Sequence, residues 1–320
     1  MPGLNLSVVV PCYNEEAGIH ELHRRVSSIC HACVGDSYEL VLINDGSRDS
    51  TWKIMNELFA TDKHVVAINL SRNYGHQLAL SAGLKMCRGE RVFVLDADLQ
   101  DPPELLSQMM VRMDEGYDVV FGSRIQRDGE TLFKKASAHV FYRLLERMVD
   151  IKIPADTGDY RLMSRRTVDL LNSMPEHHRF IRGMVSWIGL RQVALPYERA
   201  ARFAGESKYP LSKMVKLAID AITGFSVRPL HLATYAGFFC SAATMMMLIY
   251  VLAEYFVGNT IEGWASLAVI VLALGSGQML IIGVIGEYLG RVYIEVKGRP
   301  LYIIQEIVSS PDLSADLTAS

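Results

Sequence analysis

The fold of this chain is restricted most by an alternation, in which short apolar segments that end in polar residues are each followed by a segment with helical spacing. Five segments have the length and apolar content of buried strands, at residues 6–10, 38–43, 65–70, 91–95 and 118–121, and residues 193–197 form a further candidate strand. After the first of them, apolar side chains recur at helical spacing, at Ile19, Leu22, Val26, Ile29 and Cys33. Alternating strands and helices predict an α/β fold with a mostly parallel sheet that is covered on both faces.

Polar side chains follow the predicted strands at their carboxyl ends. In parallel sheets these ends meet at one edge, and ligands bind there. The side chains expected at this edge are Tyr13, Asp45, Arg72, Asp96, Asp98 and Arg124. An aromatic ring that can stack on a base, together with carboxylates and guanidinium groups, favours a nucleotide site.

The fourth predicted strand ends in the most acidic of these tips. Asp96, Asp98 and Asp101 follow it closely, and Pro102 and Pro103 end the strand. Carboxylates at positions i and i+2 are hard oxygen ligands on a rigid support, which suits Mg²⁺ or Mn²⁺ with positions left for phosphate oxygens. The same spacing also fits an acidic turn that only solvates the strand end.

Two long uncharged segments occupy the second part of the chain. Pro229–Ala253 and Gly263–Gly286 contain no Asp, Glu, Lys or Arg, and each exceeds the roughly 20 residues that cross a bilayer. We therefore predict two transmembrane helices, at about 229–253 and 263–287, although either segment alone would also fit a buried core helix. Both flanks are basic and the link between them carries Glu254 and Glu262, so both ends are predicted to face the cytoplasm.

These segments give the predicted organisation. Residues 1–209 form a catalytic domain, 229–289 a transmembrane region and 290–320 a cytoplasmic tail. Residues 210–228 carry many apolar side chains together with Lys213, Lys216 and Asp220, which predicts an amphipathic helix. This helix either lies in the membrane interface or packs on the soluble domain. The start of the chain lacks a basic segment followed by an apolar one, so no signal peptide is predicted. The localisation expected is a multi-pass protein of the inner (plasma) membrane.

Composition narrows the function further. The net charge of −3 gives no indication of nucleic-acid binding. The five cysteines are odd in number and scattered, as expected in a reducing compartment. Cys30 and Cys33 have C-x-x-C spacing but no second ligand pair, and His177 and His178 lack a spaced partner, so neither pair is expected to bind metal.

Four motifs resemble those of family 2 glycosyltransferases with the GT-A fold. They are VVPCYNE at 9–15, NDGS at 44–47, DADLQ at 96–100 and GESKY at 205–209. The chain is similar in particular to the polyprenyl-phosphate glycosyltransferases, which include dolichol-phosphate mannose synthases and bactoprenol glucosyltransferases of the GtrB type. GEYLGR at 286–291 and RPLY at 299–302 are typical of the two-span bacterial members.

The resemblance implies roles for individual residues. Pro11, Tyr13 and Glu15 would line the base and ribose pocket, Asp45 would read uracil, and Asp96 would lie near the ribose or diphosphate. Asn44 stands where many members have an aspartate, so it receives no role. The remaining roles are the divalent ion for Asp98 and Gln100, the acceptor phosphate for Arg124, Ser207 and Lys208, and a position close to the reacting centre for Asp159.

The reaction that the resemblance implies is inverting transfer of glucose from UDP-glucose to undecaprenyl phosphate, with Mg²⁺ or Mn²⁺. GDP-mannose, UDP-GlcNAc or a modified UDP-arabinose are alternative donors, because the motifs are shared. The family also suggests a homo-oligomer, such as a homotetramer. A nucleotide-sensing membrane scaffold would not need Asp98, Gln100 and Lys208 together, and a processive polysaccharide synthase would carry a Gln-x-x-Arg-Trp motif, which this sequence lacks.

Overall fold

The strands of the first part of the chain assemble into one sheet in the computed structural model, which describes residues 4–125, 157–198, 226, 228–257 and 263–309. The chain divides into two units. The described part of the first consists of residues up to 125, 157–198 and 300–309, and that of the second consists of residue 226 and two long helices. The predicted amphipathic helix at 210–228 falls almost entirely outside the described residues, as do residues 258–262 of the link between the two uncharged segments.

Eight strands form the sheet of the first unit: β1 (Leu6–Cys12), β2 (Tyr38–Asn44), β3 (Val65–Leu70), β4 (Arg91–Val94), β5 (Val119–Arg124), β6 (Thr157–Ser164), β7 (Gln192–Tyr197) and β8 (Ile304–Val308). The described helices of this unit are α1 (Ile19–Val34), α2 (Thr51–Thr61), α3 (His76–Met86), α4 (Leu106–Asp114), α5 (Arg165–Ser173) and α6 (Ile181–Ile188). A short 3-10 turn, Pro103–Leu105, precedes α4.

The strand order is β7-β5-β6-β4-β1-β2-β3-β8. The pairs β4–β1, β1–β2, β2–β3 and β5–β7 are parallel. β6 is antiparallel to both of its neighbours, and β8 is antiparallel to β3. The predicted α/β fold with a mostly parallel sheet is therefore confirmed, and it includes two strands, β6 and β8, that were not predicted.

The core lies on both faces of the parallel strands. Every residue of β1 and β2 is buried, as expected for strands with helices on both sides. Within the predicted stripe of α1, Ile19, Leu22 and Val26 are fully buried. On α3, a Cβ at Gly83 would lie 2.4 Å from Val9 Cγ1 and 2.6 Å from Ile43 Cδ1, so glycine lets α3 approach the sheet closely.

The second unit contains α7 (Arg228–Val257) and α8 (Trp264–Lys297). α7 encloses the first uncharged segment, and α8 encloses all of the second except Gly263. The helices contact each other near Gly237 and Ile281. Many of their large apolar side chains are exposed, among them Phe238, Phe239, Met279 and Leu280. In the described part of the chain, no helix meets the length and apolarity that crossing a membrane requires. The helices are confirmed, and the transmembrane assignment is not.

Candidate active site at the carboxyl edge of the sheet

The acidic tip after β4 is held in a strained conformation. Leu99 has a φ of 57°, which is unfavourable for a branched side chain, and it is nonetheless buried. The neighbouring Asp98 accepts a hydrogen bond from the Gln100 amide at 3.2 Å. The Tyr160 hydroxyl donates to the Pro102 carbonyl at 2.6 Å and so anchors the far end of this tip to β6. Strain of this kind persists where surrounding contacts impose it, and it is common at functional sites.

Asp45 lies at the tip of β2 and is almost completely buried. Its two carboxylate oxygens accept hydrogen bonds from the Tyr74 amide at 2.7 Å and the Gly75 amide at 2.9 Å. Burial raises its pKa, and these two amides oppose the shift. At Gly46, with a φ of 64°, a Cβ would lie 2.5 Å from the Arg72 backbone. Asp45 therefore fixes the segment that leads from β3 into α3, a role that the motif alone did not indicate.

Asp159 is the most strongly held carboxylate of the site. It lies on β6 and is 3% exposed. One oxygen accepts from Gln77 Nε2 at 2.7 Å and lies 3.1 Å from His76 Nε2, and the other accepts from Arg182 Nε at 3.1 Å. Burial alone would raise the pKa of Asp159, but Arg182 and His76 hold it well below its usual range. The carboxylate is therefore ionised at neutral pH.

Asp96 lies beside this network and is less completely paired. Its Oδ1 atom is 3.5 Å from His76 Nε2 and makes no hydrogen bond to the described residues. Its side chain is 29% exposed. Burial raises the pKa of Asp96, and the neighbouring carboxylates Asp159, Asp101 and Asp98 raise it further against the opposing effect of His76. Four carboxylates thus lie close enough to influence one another at this end of the sheet.

Arg124 and Asp101 form a second polar group at the same edge. Asp101 is fully buried, accepts a hydrogen bond from the Tyr197 hydroxyl, and has Oδ2 3.8 Å from Arg124 Nη2. Arg124 also donates from Nε to the Tyr197 oxygen at 3.3 Å. A Cβ at Gly158 would lie 2.9 Å from Arg124 Nη2, so glycine next to Asp159 makes room for the guanidinium group. The arrangement holds Arg124 in place and leaves it 30% exposed.

The predicted base pocket begins at the end of β1. Pro11 is buried opposite Ile43 in the strand pair, whereas Tyr13 is 42% exposed. Asn14 has a φ of 56°, and its Oδ1 accepts from the Arg48 amide at 2.9 Å. The amide of Glu15 donates to Thr51 Oγ1 at 2.9 Å. The turn thus joins the first and second strand tips and leaves the Tyr13 ring open for stacking.

The structure brings part of the predicted site together. Asp96 and Asp159 meet at His76, and Asp45 fixes the segment just before it. Ser207 and Lys208 lie outside the described residues. Across residues 4–125, 157–198 and 263–309, no group of three or more His, Cys, Asp or Glu side chains is arranged to hold a metal ion. The roles proposed for the individual residues remain predictions.

Three polar residues of this network, His76, Gln77 and Arg182, were missed from the sequence. The first two follow Gly75 at the start of α3, where a φ of 93° requires glycine. The sequence did contain a signal for them, because two polar residues directly follow a glycine at the predicted start of a helix at this edge. Arg182 offered none, because it contacts Asp159 from α6, an element that was not predicted.

The chain is similar in sequence to known glycosyltransferases. A family model described as "Glycosyl transferase family 2" matches residues 7–171. An uncharacterized glycosyltransferase of Bacillus subtilis, YkcC, is 49% identical over 95% of this chain and 94% of its own. A bactoprenol glucosyl transferase of Shigella phage SfII is 39% identical over 95% and 98%. Among solved structures, Staphylococcus aureus TarS with UDP-GlcNAc matches with a TM-score of 0.46 and 18% identity over 68% of this chain and 65% of that one.

Proposed function

Because this chain belongs to glycosyl transferase family 2, we propose that it transfers a glucosyl residue from UDP-glucose to the phosphate of a polyprenol such as undecaprenyl phosphate. The observation that carries the proposal is the 39% identity, over nearly the full length of both chains, to a protein named bactoprenol glucosyl transferase. The product would be a lipid-linked monosaccharide with inverted configuration at the anomeric carbon.

The nucleotide would bind at the tips of β1 and β2. Tyr13 is sufficiently exposed to stack on a base, and Pro11 and Glu15 flank it. Asp45 would contact uracil while it keeps its bonds to the Tyr74 and Gly75 amides, since each carboxylate oxygen accepts more than one hydrogen bond. Asp96 would lie near the ribose or diphosphate.

Asp98 and Gln100 would hold Mg²⁺ or Mn²⁺. Their carboxylate and amide oxygens fit such an ion, which takes its other ligands from phosphate oxygens and water and so does not require a third carboxylate. When bound, the ion neutralises the charge that grows on the departing diphosphate. Leu99 lies between the two residues, and its buried side chain would anchor the backbone that carries them.

The acceptor does not need a general base. A phosphate monoester has its second pKa near 6, so it is largely dianionic at pH 7. Asp159, held ionised by Arg182 and His76, is a poor proton acceptor. We propose instead that it orients the acceptor through His76 and Arg182, which contact its two oxygens. Arg124, with Ser207 and Lys208 of the GESKY motif, would orient the acceptor phosphate.

Attachment to the membrane would bring the site to its lipid acceptor. The exposed apolar side chains of α7 and α8 support this proposal. The predicted organisation, with a catalytic domain at 1–209, an amphipathic helix at 210–228 and two spans within 229–289, belongs to the same proposal. So do the cytoplasmic orientation at the inner membrane and a homotetrameric assembly.

Transfer of radiolabel from UDP-glucose to undecaprenyl phosphate in detergent tests the proposal. We expect a labelled lipid that requires Mg²⁺ or Mn²⁺ and is lost in Asp98→Ala but not in Asp169→Asn, a change at an exposed carboxylate of α5. Product only with another nucleotide sugar would change the donor and keep the mechanism. A long polymer would indicate a processive synthase, and nucleotide binding without any transfer would favour a sensor.

A further inference from the structure

His76 lies between the buried carboxylate of Asp159 and the solvent. It is the first residue of α3, directly after Gly75, whose amide is held by Asp45. Its side chain is 41% exposed, whereas Asp159 beside it is 3% exposed. The imidazole ring therefore forms part of the accessible surface, and the carboxylate behind it does not.

The ring is anchored through one nitrogen only. His76 Nε2 lies 3.1 Å from Asp159 Oδ2 and 3.5 Å from Asp96 Oδ1. Within the described residues, no group hydrogen-bonds the other ring nitrogen, Nδ1. The ring thus has one side fixed by two carboxylates and one donor position directed away from them.

The charge of the ring follows from its neighbours. A helix N-terminus disfavours a cation, and burial does so as well. The hydrogen bond to Asp159 and the charges of Asp96 and Asp159 nevertheless raise the pKa of His76 to about 8. At pH 7 the ring is then mainly an imidazolium, and both of its nitrogens are donors.

We infer that His76 is a substrate-positioning residue, which donates a hydrogen bond from Nδ1 to a phosphate oxygen of one of the two substrates while Asp159 and Asp96 hold its Nε2 side. The inference rests on the proposed function. Phosphate oxygens are present both in the diphosphate of the donor and in the phosphate of the acceptor, and both are anions that a fixed imidazolium binds.

Two substitutions at His76 test the roles of its two ring nitrogens separately. The amide nitrogen of glutamine reaches the position of Nε2, so His76→Gln can keep the bond to Asp159 and loses the Nδ1 donor. Asparagine places its amide nitrogen near Nδ1, so His76→Asn keeps that donor and loses the anchor. His20→Gln on the exposed face of α1 is the matched control.

The measurement is initial-rate kinetics with UDP-glucose varied at saturating undecaprenyl phosphate, and then with the lipid varied. We expect His76→Gln to raise one KM about 10-fold to 100-fold, the range for a lost charge-assisted hydrogen bond. Its kcat should stay within about threefold if the contact is to the acceptor phosphate, and should fall as well if the contact is to the departing diphosphate, whose charge grows in the transition state. A raised KM for UDP-glucose identifies the donor diphosphate, and a raised KM for the lipid identifies the acceptor phosphate.

Either of two results would overturn the inference. Unchanged KM values in His76→Gln would show that Nδ1 contacts neither substrate. A defect seen in His76→Asn but absent from His76→Gln would show that the ring acts only by supporting Asp159. A failure of the proposed function is recognised in the wild-type protein. If the wild type transfers sugar from no nucleotide sugar, the proposed function itself is rejected.

Discussion

The amino edge and the carboxyl edge of the sheet, where the parallel strands begin and end, both contain buried charged side chains. They differ in how completely these side chains are hydrogen-bonded. At the amino edge, Glu39 is 3% exposed and accepts hydrogen bonds from the Ser7 hydroxyl at 2.6 Å, from the Arg88 amide at 2.7 Å and from the Arg88 guanidinium at 2.9 Å. The same Ser7 oxygen accepts from the Gly89 amide at 2.7 Å. Every oxygen of this cluster has a partner within the protein.

At the carboxyl edge the pairing is incomplete. Asp96 has an oxygen without a hydrogen bond among the described residues, His76 has an unused donor, and Leu99 and Asn14 have positive φ angles. Leaving buried polar groups incompletely paired costs stability. The comparison indicates that the amino edge contributes stability, whereas the carboxyl edge keeps groups ready for a ligand.

The largest effect is expected from Asp98→Asn, which should reduce transfer about 100-fold or more, the amount that one group acting on transition-state charge supplies. Asp98 is partly exposed, so the free energy of unfolding should change by less than about 0.5 kcal/mol. Activity assays and denaturant titrations on the same preparation measure both. A loss of stability large enough to account for the loss of activity would contradict the distinction between a stabilising amino edge and a ligand-binding carboxyl edge.

Glu39→Gln should have the opposite effects, since it should lower stability and leave activity unchanged. Loss of the charge that pairs with Arg88 should lower the free energy of unfolding by about 2 kcal/mol, because the pair is buried on one side and partly exposed on the other. The kcat of the folded fraction should not change. Glu57→Gln, which removes an exposed partner of Lys53, is the control and should cost less than about 0.5 kcal/mol.

Asn14→Ala and Asn14→Gly separate strain from hydrogen bonding at the turn after β1. Alanine loses the bond to the Arg48 amide and retains a Cβ at positive φ, so we expect a loss of about 1–2 kcal/mol. Glycine loses the bond but tolerates the conformation, and it should cost less. Equal losses in urea titrations would show that the backbone at this position is not strained.

The smallest effect concerns pH. The pKa of His76 is raised in the folded state to about 8, so its contribution to stability is complete below about pH 6.5 and is lost as the pH rises through 8. Solvent screening of this partly exposed ring keeps the change below about 1 kcal/mol. Denaturant titrations at pH 6 and pH 9 should show this fall in the wild type and not in His76→Gln.

The parallel strands could be predicted from the sequence, because burial on both faces gives continuous apolar segments; β3 was predicted at its observed bounds. β6 could not, since Asp159 and Arg161 interrupt its apolar pattern. The charge of Asp159 is balanced by His76 and Arg182, which are distant in sequence. The strand tips that carry Asp45, Asp96 and Asp98 were predicted. The contacts that these side chains make were not, because they join residues that are distant in sequence.

The pairing of β8 with β3 has a consequence for the order of folding. Residues 304–308 complete an edge whose other strand, residues 65–70, leaves the ribosome far earlier. Until then the backbone of β3 presents unpaired amides and carbonyls, which are a template for association with other strands. During synthesis, the growing sheet therefore has an unpaired border strand for a long interval, until residues 304–308 are made and pair with it.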